Sequence, residues 1–318
     1  MNGSPYFSIV IPAYNREGEI CRAIDSCLAQ SFQDFELIVV DDASQDDSVA
    51  VVSSYADPRI TLVSHEQNRG PCPARNTGVS HSRGEWIVTL DSDDALLPGC
   101  LSSMRKYIAS APASVGRLGF MYSVGNGLFA PHPAPKYARL DYAGWLRFIN
   151  THDDTNLLWC TSRSTFDSVR FPDSTAMELE YGVAFARRFE MLLVPEIVGT
   201  IYADASNRLT VRYAPRDRER TVKRASDDVA SAIRMLRDDG GALRDFAPRY
   251  YEMIKRSLSI SYFILGQHRE GLWHAVDYIK QCRVTYVGLA SIGLAAVSPK
   301  VFLQLRERRG VRKAMRAS

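Results

Sequence analysis

No Cys-x-x-Cys pair occurs among the six cysteines, Cys21, Cys27, Cys72, Cys100, Cys160 and Cys282, and no histidine stands near them in metal-binding register. That excludes a zinc finger or ribbon and a disulfide framework, and the expectation is idle or buried thiols in a reducing cytoplasm. A large excess of either charge is lacking as well. The net charge is +3, which gives no footprint for nucleic acid. Residues Met1 to Phe7 hold no basic stretch followed by an apolar run, so no signal peptide is expected. Residues 284–305 are apolar, but Ser298-Pro299-Lys300 interrupts them. A spanning helix needs roughly 20 mostly apolar residues, so a helix lying in the membrane plane or packed on the protein is expected. Internal repeats and low-complexity tracts are missing too.

What is present suits a packed protein. The 318 residues are 46% hydrophobic and 24% charged, enough for one large α/β domain with a helical appendage or for two small domains. Short apolar runs alternate with helical patterns over the first hundred residues. Phe7–Ile11, Glu36–Val40, Ile60–Val63 and Glu85–Leu90 read as strands, and Ile20, Ala23, Ile24, Cys27 and Leu28 share one helix face. Further helices are expected over about 46–55 and 72–82, and one opening near Pro98. Such alternation predicts a mostly parallel sheet covered on both faces. Ligands of such sheets sit beyond the carboxyl ends of the strands. Residues 116–213 read as mixed, with strand pieces at 192–194 and 198–202. From 218 to 280 the pattern is helical, with breaks expected at Gly240-Gly241 and Pro248.

Polar clusters fall at the strand ends. Asp91-Ser92-Asp93-Asp94 puts three carboxylates within four residues. Their repulsion calls for a cation or fixed donors, and a hard divalent ion that also bridges phosphates fits; a solvated acidic turn is the simpler account. Asp41-Asp42 closes the second strand and suits either the polar edge of a nucleoside or a helix cap. Tyr14 suits base stacking or cover for the core edge. Arg75, near the start of a helix, suits an anion or a surface ion pair. No glycine-rich G-x-G-x-x-G turn follows the first strand, which argues against a dinucleotide site.

Four ordered stretches resemble the inverting family 2 glycosyltransferases of the GT-A fold. They are Ser8–Asn15 (SIVIPAYN), Glu36–Ser44 (ELIVVDDAS), Asn68-Arg69-Gly70 with Ala74–Gly78 (ARNTG), and Gly84–Asp94 (GEWIVTLDSDD). The resemblance implies a GT-A (Rossmann-like) sheet flanked by helices, with a C-terminal helical extension. It implies that Pro12, Tyr14 and Asp42 hold the nucleoside and that Arg75 lies near the donor diphosphate. Asp93, with Asp91, would bind Mn²⁺ or Mg²⁺; Asp91 would also lie nearer the ribose, and Asp94 would touch the donor sugar. The family usually carries a Glu-Asp pair downstream as the base. Met177-Glu178-Leu179-Glu180-Tyr181 followed by Arg187-Arg188 is the nearest match, with Tyr181 where the aspartate is expected. Glu180 is the chosen base and Glu178 the reserve, with Asp153 and Asp154 as further candidates.

The implied reaction is inverting transfer from a nucleotide-diphosphate sugar, with UDP favoured, to a glycan or lipid-linked acceptor in bacterial surface polysaccharide assembly. The expected layout is a glycosyltransferase domain at 1–215, with its nucleotide half at about 1–115 and its acceptor half at about 116–215, and a helical extension at 216–318. Trp145, Trp159 and Tyr181 offer aromatic faces to sugars, or else pack in the core. The run Arg306–Arg316 is strongly cationic and follows the apolar stretch, which suits peripheral contact with the inner face of a plasma membrane or a solvated end. Two rival readings remain: a nucleotidyltransferase, which would want a Gly-rich basic loop after the first strand, and an inactive nucleotide-binding scaffold.

Overall fold

A computed structural model describes residues 3–125, 127–152, 155–173, 178–202, 218–283 and 285–305. The chain divides into two compact units, one of residues 1–145 with 152–205 and one of residues 146–151 with 206–318.

The first unit begins as the apolar pattern predicts. Strands β1 (Phe7–Ala13), β2 (Phe35–Asp41), β3 (Ile60–Ser64) and β4 (Trp86–Thr89) pair in parallel in the order β3-β2-β1-β4. Every residue of β1 and β2 is buried, as expected of strands covered on both faces. Helix α1 (Ile20–Leu28) buries Ile20, Ala23, Ile24 and Cys27, one face of a 3.6-residue repeat. Helices α2 (Ser48–Ser53) and α3 (Pro71–His81) complete the crossovers. Helix α3 approaches β1 through Gly78, where a Cβ would stand 2.3 Å from Val10 Cγ1. Only a glycine permits that spacing.

A pinned carboxylate sits at the amino edge of the sheet. Glu36 accepts the Ser8 hydroxyl at 2.6 Å, and Ser8 Oγ accepts the Gly84 N–H at 2.8 Å. Burial alone would raise the Glu36 carboxyl, but the Ser8 hydroxyl and the Arg83 N–H and guanidinium outweigh it and hold the group below its ordinary value.

Beyond β4 the sheet becomes mixed. Short β5 (Ala95–Leu96) and helix α4 (Cys100–Ser110) lead to β6 (Val115–Gly125), β7 (Leu128–Ala130), β8 (Ala138–Leu140), helix α5 (Tyr142–Thr151), β9 (Leu158–Ser162), helix α6 (Glu178–Ala186) and β10 (Glu190–Thr200). The order continues β4-β9-β6-β10-β5, with β9 antiparallel to both neighbours and β6 parallel to β10. The strand pieces read at 192–194 and 198–202 are one strand, β10. Its register against β6 shifts around Pro195 and Glu196, and proline offers no N–H to the ladder. Helix α4 starts later than Pro98 suggests, because Gly99 takes φ 80° just before it.

Helices α7 (Arg218–Phe246), α8 (Pro248–Ile264), α9 (His268–Gln281) and α10 (Tyr286–Val297) belong to the second unit, together with Leu146–Thr151 of α5. Helix α7 runs through Gly240-Gly241, contrary to the break expected there. A glycine costs about 1 kcal/mol in a helix, and the burial of Leu243 and Ala247 beyond the pair offsets it. The break at Pro248 is observed. Ile260, Phe263, Ala275, Tyr278, Ile292 and Ala295 form this unit's core. No helix among the described residues is long and apolar enough to cross a membrane.

All six thiols are free, and Cys27, Cys72, Cys100 and Cys160 are buried. Burial pushes the Cys27 thiol up to about 12, which leaves it inert.

Candidate active site

The carboxyl ends of β1, β2 and β4 meet one edge of the first unit, and the loops there are tied together. Asn15 N–H donates to Ser44 Oγ at 2.9 Å, Gln45 N–H to Asn15 Oδ1 at 2.8 Å, and Arg16 N–H to Ser48 Oγ at 2.7 Å. Asn15 and Ala43 take left-handed backbone, with φ of 52° and 63°. Asparagine tolerates this conformation, whereas alanine is strained by it. The loops thus hold Pro12, which is buried in register with Val40, and Tyr14, which is 38% exposed.

Asp42 is buried and organised. Its Oδ1 accepts the Arg69 N–H at 2.9 Å and its Oδ2 the Gly70 N–H at 2.6 Å. His65 Nδ1 lies 2.7 Å from Oδ1, and its Nε2 lies 2.9 Å from the Thr77 hydroxyl. With a proton on Nδ1 the ring donates to Asp42. A carboxylate offers about four acceptor sites, so these three donors leave room for one more on Asp42.

Arg75 and the acidic run face each other. Arg75 Nη2 donates to Asp91 Oδ1 at 2.6 Å. Asp91, Asp93 and Asp94 each offer a carboxylate oxygen, all within 4.8 Å of one another. Asp93 and Asp94 are buried and Asp91 is exposed. Two further arginines hold this strand end. Arg22 Nη2 donates to the Asp93 carbonyl at 2.8 Å and its guanidinium stacks 3.8 Å over the Tyr202 ring, while Arg16 Nη2 stands 3.9 Å from Asp93 Oδ2. Hard oxygen donors converging at this spacing fit Mg²⁺ or Mn²⁺, with coordination positions left for phosphate or water.

The proposed base region is less complete. Glu180 is half-buried on α6. Glu178 opens that helix, but its side chain lies outside the described residues, as do Asp153 and Asp154. Tyr181, which replaces the expected aspartate, is 1% exposed and stacks on Phe171 with ring centroids 4.1 Å apart. Trp145 and Trp159 are buried as well, and Arg117 lies 3.8 Å over the Trp159 ring. These three aromatics are core, so they offer no open face to a sugar.

Sequence reading singled out Asp42, Arg75 and the acidic run, and the structure pairs Arg75 with that run. It missed His65, Arg16 and Arg22. His65 directly follows β3, so the same carboxyl-edge rule that selected Asp42 would have selected it. Arg22 lies on the polar side of an amphipathic helix, away from its apolar stripe, and carried no signal.

The profile of glycosyl transferase family 2 matches residues 8–165. The succinoglycan biosynthesis protein ExoO of Rhizobium meliloti is 43% identical over 126 residues, 39% of this chain and 36% of that protein. The Escherichia coli enzyme WfgD, described as a UDP-Glc:alpha-D-GlcNAc-diphosphoundecaprenol beta-1,3-glucosyltransferase, is 41% identical over 87 residues, 27% of this chain and 34% of that protein. The chain thus spans little more than a third of each relative's length. Staphylococcus aureus TarS 1–349, solved in complex with UDP-GlcNAc, superposes with a TM-score of 0.61 at 16% identity, covering 96% of this chain and 92% of that one. At that identity the likeness is one of fold, the GT-A type. The β3-β2-β1-β4 order, the acidic end of β4 and the matched stretch agree, and residues 8–165 are a glycosyl transferase family 2 domain.

Proposed function

We propose that the protein transfers a sugar, with inversion, from a nucleotide-diphosphate donor to a hydroxyl of a glycan or lipid-linked acceptor in bacterial surface polysaccharide biosynthesis. A UDP-sugar is the favoured donor. The observation that carries this reading is the set of three carboxylates converging beside the buried Arg75 at the carboxyl edge of the sheet. The relatives' roles in succinoglycan assembly and in glucosyl transfer to a lipid-linked sugar support it.

In this reading Tyr14 and Pro12 flank the nucleoside, and Asp42 accepts a hydrogen bond from it through its remaining acceptor site. Asp91 and Asp93 hold Mn²⁺ or Mg²⁺, and Asp94 reaches the donor sugar. The bound ion would supply electrostatic stabilisation of the leaving diphosphate. Arg75 adds a fixed positive charge at the same place. Glu180 removes the proton from the acceptor hydroxyl as that oxygen attacks the anomeric carbon, with Glu178 in reserve. Residues 1–215 are the proposed catalytic domain. Residues 216–318 are the proposed extension, whose stretch 284–305 and basic end meet the cytoplasmic face of a membrane.

The test is product analysis with UDP- and GDP-sugars and Mn²⁺. Release of the nucleoside diphosphate on acceptor addition supports the reading, and release of pyrophosphate contradicts it. A second reading, a scaffold that binds nucleotide without turnover, is favoured by one observation: Tyr181 lies in the core where the family carries a carboxylate. Donor binding with no turnover on any acceptor would select it.

A further inference from the structure

Helix α9 inverts the usual logic of a surface helix. It turns Gly271, Ala275 and Tyr278 inward, and Gly271 lies so close to Phe263 that a Cβ there would stand 2.8 Å from the ring. Outward it presents Leu272 at 58% exposure, Trp273 at 64%, Val276 and Ile279. At 3.6 residues per turn these four fall within an arc of roughly 120° that also contains Arg269 and Lys280. Both cations are exposed. The acids Glu270 and Asp277 fall outside the arc, and Asp277 is paired with Lys255. A water-facing helix normally shows its charges outward and its apolar stripe inward. Here the outward side carries the apolar stripe, with two cations set into it between Val276 and Trp273.

Helix α10 adds to the same chemistry. It carries no charged residue, and Tyr286 and Val297 are almost fully exposed. The chain after it, Arg306 to Arg316, holds six basic residues and one acid, a net of 6 − 1 = +5.

We propose that the outward face of α9 docks on an anionic lipid bilayer, with Trp273 at headgroup depth and Arg269 and Lys280 against lipid phosphates. This rests on the proposed membrane contact of residues 284–305 and assigns it a second, separate element. Charge selects the occupant. An apolar stripe with Lys and Arg set into it complements an anionic surface. A second copy of the same face would bring like charges together across the contact. Trp is also a residue that partitions to the membrane–water interface.

The test is flotation of the full chain, without donor, on vesicles of phosphatidylcholine alone or with 30% phosphatidylglycerol. The expected result is at least tenfold stronger partitioning to the anionic vesicles, weakened by salt, with a blue shift of Trp emission that Trp273→Phe removes. Of the four tryptophans, Trp145 and Trp159 are buried and Trp86 is half-buried, so the shift reports Trp273. Leu272→Ser with Trp273→Ser should cost at least tenfold in partitioning while helix content and melting stay as in the parent. No binding of the parent to anionic vesicles overturns both this inference and the contact of 284–305. Binding kept by the α9 variant but lost with Tyr286→Ser and Val297→Ser overturns the α9 assignment alone. A dimer in sedimentation velocity that the α9 variant dissociates overturns it in favour of a second copy. Should the double variant fail to fold, brominated lipids that leave the parent's Trp273 emission unquenched overturn it equally.

Discussion

Arg75 donates to Asp91 across 2.6 Å, and the two side chains differ sharply in burial: that of Arg75 is 6% exposed and that of Asp91 53%. The cation is therefore fixed by the protein, and the anion is free to turn toward a ligand. In the proposed reaction, a guanidinium fixed in this way would act on the leaving diphosphate without reorganising.

Replacing Arg75 with alanine is accordingly expected to lower kcat/KM by about 10²–10³, the scale for removing one preorganised charge donor at a transition state. Arg75→Lys should recover only part, because an ammonium lacks the planar fork. Steady-state kinetics with a saturating acceptor check both. Full activity of the alanine variant would remove Arg75 from the site.

Ala43 holds a left-handed backbone, φ 63°, immediately after Asp42. That conformation costs a non-glycine residue about 1–2 kcal/mol, and the extra freedom of an unfolded glycine takes back part of the gain. Ala43→Gly is expected to stabilise the protein by about 0.5–1 kcal/mol in urea melts, with donor binding unchanged.

The Gly78–Val10 contact makes the opposite prediction. A Cβ at 2.3 Å from Val10 Cγ1 forces α3 away from β1. Gly78→Ala should cost about 1–3 kcal/mol, the range for overpacking. Because α3 carries Arg75, donor affinity should fall as well. Thermal melts and donor titration measure the two effects.

Glu36 gives a pH signature. Its folded carboxyl sits below the ordinary value, so its contribution is present above the unfolded pKa of about 4.3 and is lost as pH falls through the folded value. Glu36→Gln should destabilise the protein at pH 7 by about 1–3 kcal/mol, the scale of charged buried hydrogen bonds. The gap to the parent should narrow as pH falls below the unfolded value and through the lower folded one. Urea melts at several pH values test this, and a gap that stays constant with pH would contradict it.

The parallel half of the fold was legible because β1 and β2 are buried on both faces and read as unbroken apolar runs. The mixed half was not. The register shift at Pro195 split one strand into two apparent pieces, and the pairings of β5 to β9 are set by long-range partners that leave no local period. Asp91 to Asp94 and Asp42 were legible by type and position at strand ends. Arg16 and Arg22 were not, since a lone arginine in a loop or on a helix face has no pattern until the fold brings it to a carboxylate, whereas His65 carried one signal, its place directly after β3. Tyr181 was ambiguous for a similar reason: a tyrosine after a glutamate looks the same whether it meets a sugar or, as here, Phe171.

The central claim is that the carboxylates closing β4 hold a divalent ion with the donor diphosphate. Isothermal titration of UDP with and without Mn²⁺, on the parent and on Asp93→Ala, tests it most directly. The account predicts metal-dependent binding in the parent, weakened at least about tenfold, or about 1.4 kcal/mol, in a variant whose melting is unchanged. Binding that is equally strong without Mn²⁺, or unaltered by loss of Asp93, would contradict it.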